Sequence, residues 1–235
     1  MSGRGAWSWV DSLSNIFSVS YFLEALPRLA RTLGLTLQLS AVSAVFALIL
    51  GCATAIIRFY RVPVLRQITG VYLSIFRSTP LMPQLFLFYF GLATVSTFIR
   101  DMDAITPACI IMSLHQGSYM AENIRGALLS VDDGQKEAAA SLGFSSLQTM
   151  FRVILPQATR VALPPLFNDF VSILKMSSVV FVVGVTDLMG QARIISGNSG
   201  RYFEVYVAVM VLYWVIVNLM NVFQRWLERR CAEAY

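Results

Sequence analysis

Charge is scarce in this 235-residue sequence: Lys, Arg, Asp and Glu make up 13 % of it, about half the share of an ordinary soluble domain. Hydrophobic residues make up 57 %, which excludes a disordered chain, since disorder requires low hydrophobicity and high net charge. The three cysteines, Cys52, Cys109 and Cys231, are too few and too scattered for a disulfide framework and read as reduced thiols. No metal-ligand cluster, paired-carboxylate arrangement or activated nucleophile is apparent, so an independent enzyme is not expected. A G-x-x-x-x-G-K-[S/T] loop is also missing, so the chain is not expected to hydrolyse ATP by itself. The net charge of +5 is spread singly along the chain, whereas phosphate binding needs a basic stripe, and nucleic acid is therefore excluded as a partner.

What is present is a series of long uncharged runs. A spanning helix needs about 20 mostly apolar residues, and five intervals qualify: Thr32 to Ile57, Ile68 to Ile99, Ala104 to Leu129, Val161 to Val185 and Val205 to Gln224. The middle three carry Arg77 with Pro80 and Pro83, then His115, Glu122 and Arg125, then Asp169 and Lys175. Charge in hydrocarbon is kept only where protein or water surrounds it, so these three are expected to line a path or an interface. The expected fold is an all-α integral membrane protein of about five transmembrane helices.

An odd number of spans puts the termini on opposite sides, and Lys/Arg bias sets the orientation. Arg58, Arg61, Arg66, Arg125, Lys136, Arg152, Arg160, Arg225, Arg229 and Arg230 fall on one side; Arg4, Arg28, Arg31, Arg100, Arg193 and Arg201 fall on the other. The richer side reads as cytoplasmic, with the amino terminus outside. The first 27 residues lack the apolar core and cleavage site of a signal peptide. Residues 1–28, with Trp7, Trp9, Ile16, Phe17, Tyr21, Phe22 and Leu23, read as an outer-face interfacial segment. Residues 29–230 read as the transmembrane domain and 231–235 as a cytoplasmic tail.

The loop at about 130–160, between the third and fourth spans, is helical and punctuated. Asp132 with Gln135 has capping-box spacing and opens a helix through Lys136 to Leu142, which Gly143 ends. Ser145 with Gln148 repeats the spacing; a second helix carries Leu147, Met150, Phe151 and Ile154 on one face and is expected to stop at Pro156. One reading is an amphipathic hairpin lying on the membrane. The other takes the run Ala138, Ala139, Ala140 as a surface for close approach by a partner.

Within this loop, Glu137-Ala138-Ala139, three residues, Gly143, nine residues and then Val153-Ile154-Leu155-Pro156 resembles the E-A-A loop of membrane subunits of ATP-binding-cassette importers, with Val153 where Ile is usual. Further segments resemble the polar amino-acid permease branch: Arg77-Ser78-Thr79-Pro80-Leu81, Gln84-Leu85-Phe86, Tyr89-Phe90-Gly91-Leu92, Tyr119, Ala121-Glu122, Arg125-Gly126, Leu163-Pro164-Pro165, Asn168 and Leu174-Lys175 with Ser177-Ser178. Met176 stands where the family usually has an acidic residue. The resemblance covers residues 29 to 230. It implies a cytoplasmic coupling-helix hairpin at Glu137, Ala138, Ala139, Gly143, Leu155 and Pro156, docked on a cytoplasmic ATPase subunit that holds ATP and magnesium. It also implies a second permease subunit (same or different chain), an extracytoplasmic substrate-binding protein, a polar amino acid as cargo, and a bacterial cytoplasmic (inner) membrane location. This chain itself would carry no cofactor and no metal.

The candidate path residues are Arg77, Thr79, Tyr119, Glu122, Asn168, Asp169 and Lys175. Arg77 either gates the path or pairs with carbonyls freed by Pro80 and Pro83 and holds the kink. Asp169 and Lys175 lie about 240° apart on one helix, so each needs another partner, such as the ammonium and carboxylate of an amino acid. Glu122 and Arg125 have ion-pair spacing. His115 reads as a buried, hydrogen-bonded histidine. Gly197 to Gly200 reads as an outer loop. An alternative function, an ion-gradient-driven transporter relaying protons through Glu122, Asp169 and His115, predicts an inverted repeat that is not found.

Overall fold

The computed structural model describes residues 17–232, and the side chains of residues 17–229. Trp7, Trp9 and Ile16 lie outside the described residues. Every regular element among them is helical: α1 (Val19–Ala30), α2 (Leu33–Phe59), α3 (Leu65–Ser78), α4 (Leu81–Phe86), α5 (Thr97–Arg100), α6 (Ile105–Leu129), α7 (Asp133–Ser141), α8 (Ser146–Thr149), α9 (Leu155–Met176), α10 (Leu188–Ser199) and α11 (Tyr202–Ala232).

Three stretches are long and apolar enough to cross a membrane: Leu33–Phe59, Ser146–Val183 and Tyr202–Arg229. The 25 residues of α6 would reach about 37 Å at ~1.5 Å per residue, but the helix is too polar to sit in lipid alone. Its Ser113, His115, Gln116 and Ser118 are all buried by neighbouring helices. The interval Ile68 to Ile99 is broken. Thr79, extended because Pro80 follows it, ends α3 at φ −119°, ψ 143°, and α4 runs into a π turn (Leu87–Gly91) and a 3-10 turn.

The centre of the molecule is the crossing of α2 on α6, where small residues let the backbones meet. A Cβ on Gly51 would lie 2.9 Å from Met120 Cβ, and one on Gly117 would lie 3.1 Å from Tyr72 Oη and 3.2 Å from the Ala47 carbonyl oxygen. Ser113 Oγ donates to the Ser43 carbonyl (3.3 Å) and Tyr72 Oη to the Leu114 carbonyl (2.7 Å). A second core joins Ala25 and Leu29 of α1 to Leu188, Ala192 and Ile195 of α10 and Val205 and Ala208 of α11.

The reversal between α2 and α3 is strained. Arg61 (φ 52°) and Val64 (φ 63°) have positive φ, and the Leu65 N–H reaches the Pro63 carbonyl at 2.7 Å, an i to i+2 turn of the strained kind.

Two expectations are corrected. Gly197 to Ser199 are not loop but the last turn of α10, which Asp187 caps and Gly200 ends at φ 70°. Buried Leu188, Ala192 and Ile195, at helical spacing, hold that helix on the core. Pro156 does not stop the second loop helix: α8 passes through a π turn (Met150–Ile154) into α9, with Pro156 in the first turn. The π turn shifts the ladder by one residue just before the proline, the Leu155 N–H bonding the Met150 carbonyl, and Gln157 Nε2 donates to the neighbouring Val153 carbonyl at 2.9 Å, so the helix continues through a residue that has no N–H.

Candidate functional site

The loop between α6 and α9 is built from local cap chemistry. Asp132 caps α7, but its side chain accepts from the Gly134 N–H (2.7 Å) instead of forming the reciprocal box read from the sequence. At the other end the Phe144 N–H bonds the Ala139 carbonyl (3.0 Å) and the Gly143 N–H the Ala140 carbonyl (2.9 Å), with Gly143 at φ 78°. Those two bonds are the Schellman closure. The box at Ser145 forms in full: Gln148 N–H to Ser145 Oγ (3.3 Å) and Ser145 N–H to Gln148 Oε1 (2.8 Å).

Of the small face, Ala139 is buried beneath α7 while Glu137, Ala138 and Ala140 stay exposed. Leu142, Leu147 and Phe151 are 77 %, 68 % and 64 % exposed. Lys136 ties α7 to the end of α2, its Nζ 5.8 Å from the centre of the Phe59 ring. The same Nζ bonds Asp133 Oδ1 at 2.7 Å and holds that carboxyl below its ordinary range. Leu155 and Pro156 lie exposed where α9 begins.

A second constellation opens beside α2, α3 and α6. Arg58, Ser74, Arg77, Ser78, Tyr119 and Glu122 line a cleft of about 470 Å³. The Arg77 guanidinium sits 5.6 Å from the Tyr119 ring centre. Glu122 Oε2 accepts from Arg125 Nη2 (2.7 Å) and Nε (3.1 Å), and Oε1 lies 3.6 Å from Arg58 Nε. Arg77, Tyr119 and Glu122, separate in the sequence, are thus brought together, with Arg58 added.

Arg77 does not hold the kink. Gln84 does: its Nε2 reaches the Phe76 carbonyl (3.2 Å), the Thr79 carbonyl (3.1 Å) and Thr79 Oγ1 (2.7 Å). Its Oε1 lies 3.0 Å from His115 Nδ1, so His115 is the buried, hydrogen-bonded histidine expected. Thr79 belongs to this clamp and donates to the Ile75 carbonyl at 2.8 Å.

Asp169 and Lys175 are not brought together. Asp169 is buried, with Gln116 Nε2 on Oδ1 and Asn123 Nδ2 on Oδ2, both at 2.7 Å. Gln116 and Asn123 are seven residues apart, on one face of α6, and that face was the signal available in the sequence. Asn168, Ser172 and Lys175 lie exposed along another face of α9, and Lys175 has no ion pair among the described residues. Glu122, Asp169 and His115 each hold separate partners and form no relay. The gradient-driven alternative is not supported.

A family model for the binding-protein-dependent transport system inner membrane component matches residues 43–233. The chain is 43 % identical over 219 residues to the probable amino-acid ABC transporter permease protein PatM of Vibrio harveyi, covering 93 % of this chain and 98 % of that one. It is 38 % identical over 221 residues to the probable amino-acid permease protein YxeN of Bacillus subtilis, covering 94 % and 99 %. Among solved structures, an amino acid ABC transporter crystallised with histidines superposes with a TM-score of 0.84 at 32 % identity, covering 91 % of this chain and 99 % of that one. The inward-facing MetNI methionine ABC transporter shares the fold, with a TM-score of 0.73 at 23 % identity over 87 % and 96 % of the chains. A capped, exposed helix in a loop between membrane helices, a family match across most of the sequence and near-complete coverage of the relatives lead to one assignment: the chain belongs to the binding-protein-dependent transport system inner membrane component family.

Proposed function

We propose that this chain is the permease subunit of an ATP-driven importer for a polar amino acid, paired with a second permease subunit, supplied by an extracytoplasmic binding protein and docked on an ATPase subunit that carries ATP and magnesium. The carrying observation is the α7 helix, closed at both ends by its own caps and flanked by exposed Leu142, Leu147 and Phe151. A short rigid helix passes on displacement that a loose loop would absorb. Glu137, Ala138 and Ala139 supply its contact surface, Gly143 its end, and Leu155 and Pro156 the entry into α9. Closure of the ATPase then tilts α6 and α9 in a rocking motion.

The cargo path runs past Arg77, Tyr119 and Glu122 on one side and the exposed face of Asn168, Ser172 and Lys175 on the other. That polar face cannot stand against lipid, so water or the second subunit covers it. Lys175 takes the cargo carboxylate. The amino terminus lies outside and the loop end of the molecule in the cytoplasm.

The test is a pull-down from gently solubilised membranes through a carboxyl-terminal tag. A nucleotide-binding-loop protein should co-purify and be lost in the Glu137→Arg, Gly143→Val double variant. Recovery of this chain without any ATPase overturns the reading. In the reconstituted complex, Lys175→Met should lower uptake about tenfold or more, as loss of a desolvated charge contact does, with assembly intact; unchanged uptake removes Lys175 from the path.

A further inference from the structure

Between α9 and α11, at the loop end of the molecule, runs a groove that neither the cleft nor the coupling loop uses. Its mouth, about 240 Å³, is lined by Arg160, Gln224 and Glu228 over apolar walls that include Leu163 and Phe167. Phe167 also lines the cavity that continues it, about 480 Å³ between Phe170, Leu219 and Phe223. The Phe167 and Phe223 rings lie 6.1 Å apart across the two helices. The groove therefore has a charged mouth and a long aromatic and aliphatic floor.

The charge at the mouth is of both signs. Arg160 stands one turn into α9, and Glu228 stands in the last turns of α11. Gln224 Nε2 donates to Glu228 Oε1 at 2.9 Å, which fixes the carboxylate. Leu219 and Phe223 are 65 % and 53 % exposed on a helix long and apolar enough to cross a membrane, so the floor is open at its side, where acyl chains are the available filling. Pockets of basic side chains between membrane helices at the cytoplasmic end take lipid headgroups, and here the added carboxylate selects among them. An anionic glycerol headgroup would set its net charge against Glu228. A choline headgroup has no N–H to give that carboxylate. A primary ammonium supplies both the charge and the donors.

We propose that this groove holds a phospholipid with a primary-amine headgroup, its phosphate on Arg160, its ammonium on Glu228 and one acyl chain laid along Phe167, Phe170 and Phe223. The lipid wedges α9 to α11 at the end where the coupling loop enters, so its occupancy sets how α9 tilts against α11.

The purified complex is placed in nanodiscs of equal parts phosphatidylethanolamine, phosphatidylglycerol and phosphatidylcholine, and retained lipid is counted by native mass spectrometry. One lipid per copy of this chain should persist, with phosphatidylethanolamine enriched about fivefold, the size of one charge contact. Glu228→Gln should remove the preference for the amine while leaving one lipid bound; Arg160→Gln should lower all retention about fivefold on the same scale. Retained lipid matching the bulk mixture, or both variants behaving as the parent, overturns the site. In the unmodified complex, phosphatidylethanolamine bearing a diazirine in its acyl chain should label peptides around Phe170 and Leu219. Labelling only elsewhere, or a Phe223→Cys cross-link to the second membrane subunit across the groove, also overturns it. A nanodisc presents both leaflets, so failure here does not bear on the orientation proposed above, and failure of the pull-down does not bear on the groove.

Discussion

Gln84 bonds two carbonyls and a hydroxyl at the break between α3 and α4 with its amide nitrogen and gives its oxygen to His115, so one buried side chain joins the kink to α6. Replacing it by Leu strands those groups, and an unmet buried hydrogen-bonding group costs about 1–3 kcal/mol. Gln84→Leu should therefore lower the thermal midpoint of the purified complex clearly, and an unchanged midpoint would remove the clamp assignment. Val64 predicts the opposite sign. A β-branched residue at φ 63° is a backbone outlier, held at a cost of order 1–3 kcal/mol. Val64→Gly should raise the midpoint, since strain relief outweighs about 1 kcal/mol of added chain entropy; a fall would mean the turn is not strained in the bilayer. At this scale the sequence shows partners only when they are close along the chain. The Glu122–Arg125 pair is three residues apart and legible. The Arg58–Glu122 and Asp169–Asn123 contacts join different helices, and no spacing rule reaches them.

Cap chemistry decides the elements of the loop between α6 and α9. Gly143 is at φ 78° with open space where a Cβ would go, so its constraint is conformational and not steric. Gly143→Val forces a β-branched side chain into a region it rarely adopts, and should uncouple ATP hydrolysis from transport while insertion and spans stay intact. Normal coupling in proteoliposomes would contradict the helix end. Here much was legible: the Ser145–Gln148 box and the Gly143 end rest on neighbours in sequence, and both formed. The stop expected at Pro156 failed because a proline breaks a helix only if nothing adjusts the ladder before it, and the π turn at Met150–Ile154 does. Helix α10 is hidden in the sequence because the glycines near its end resemble a turn, and only the Asp187 cap ahead of them marks where a helix begins.

For the whole molecule the sequence was most informative about layers. The runs Thr32 to Ile57 and Val205 to Gln224 lie inside α2 and α11 but for the capping Thr32, because a hydrocarbon slab imposes a length that composition records directly. The broken run between them was legible as irregular, from its prolines, but not in its detail. Orientation is a separate matter of charge bias and is open to direct test: Leu142→Cys, at a site 77 % exposed, should react with a membrane-impermeant maleimide only in inside-out vesicles, and Ser199→Cys only in right-side-out ones. The reverse pattern would invert the topology while leaving the family assignment untouched.

Residues Ser146–Val183 form one continuous helical stretch of 38 residues, so in the proposed importer the second half of the loop and the span that follows it would act as a single lever, about 57 Å along its path at ~1.5 Å per residue. A turn of only ~5° about its loop end would sweep the far end, near Val183 and Gly184, through about 5 Å, close to one helical pitch. The π turn at Met150–Ile154 lies four residues from the near end, where compliance subtracts least from the stroke. In the proposed importer, gearing of this kind would make the size of the opening on the far side depend on the length of α9 as much as on how far an ATPase moves.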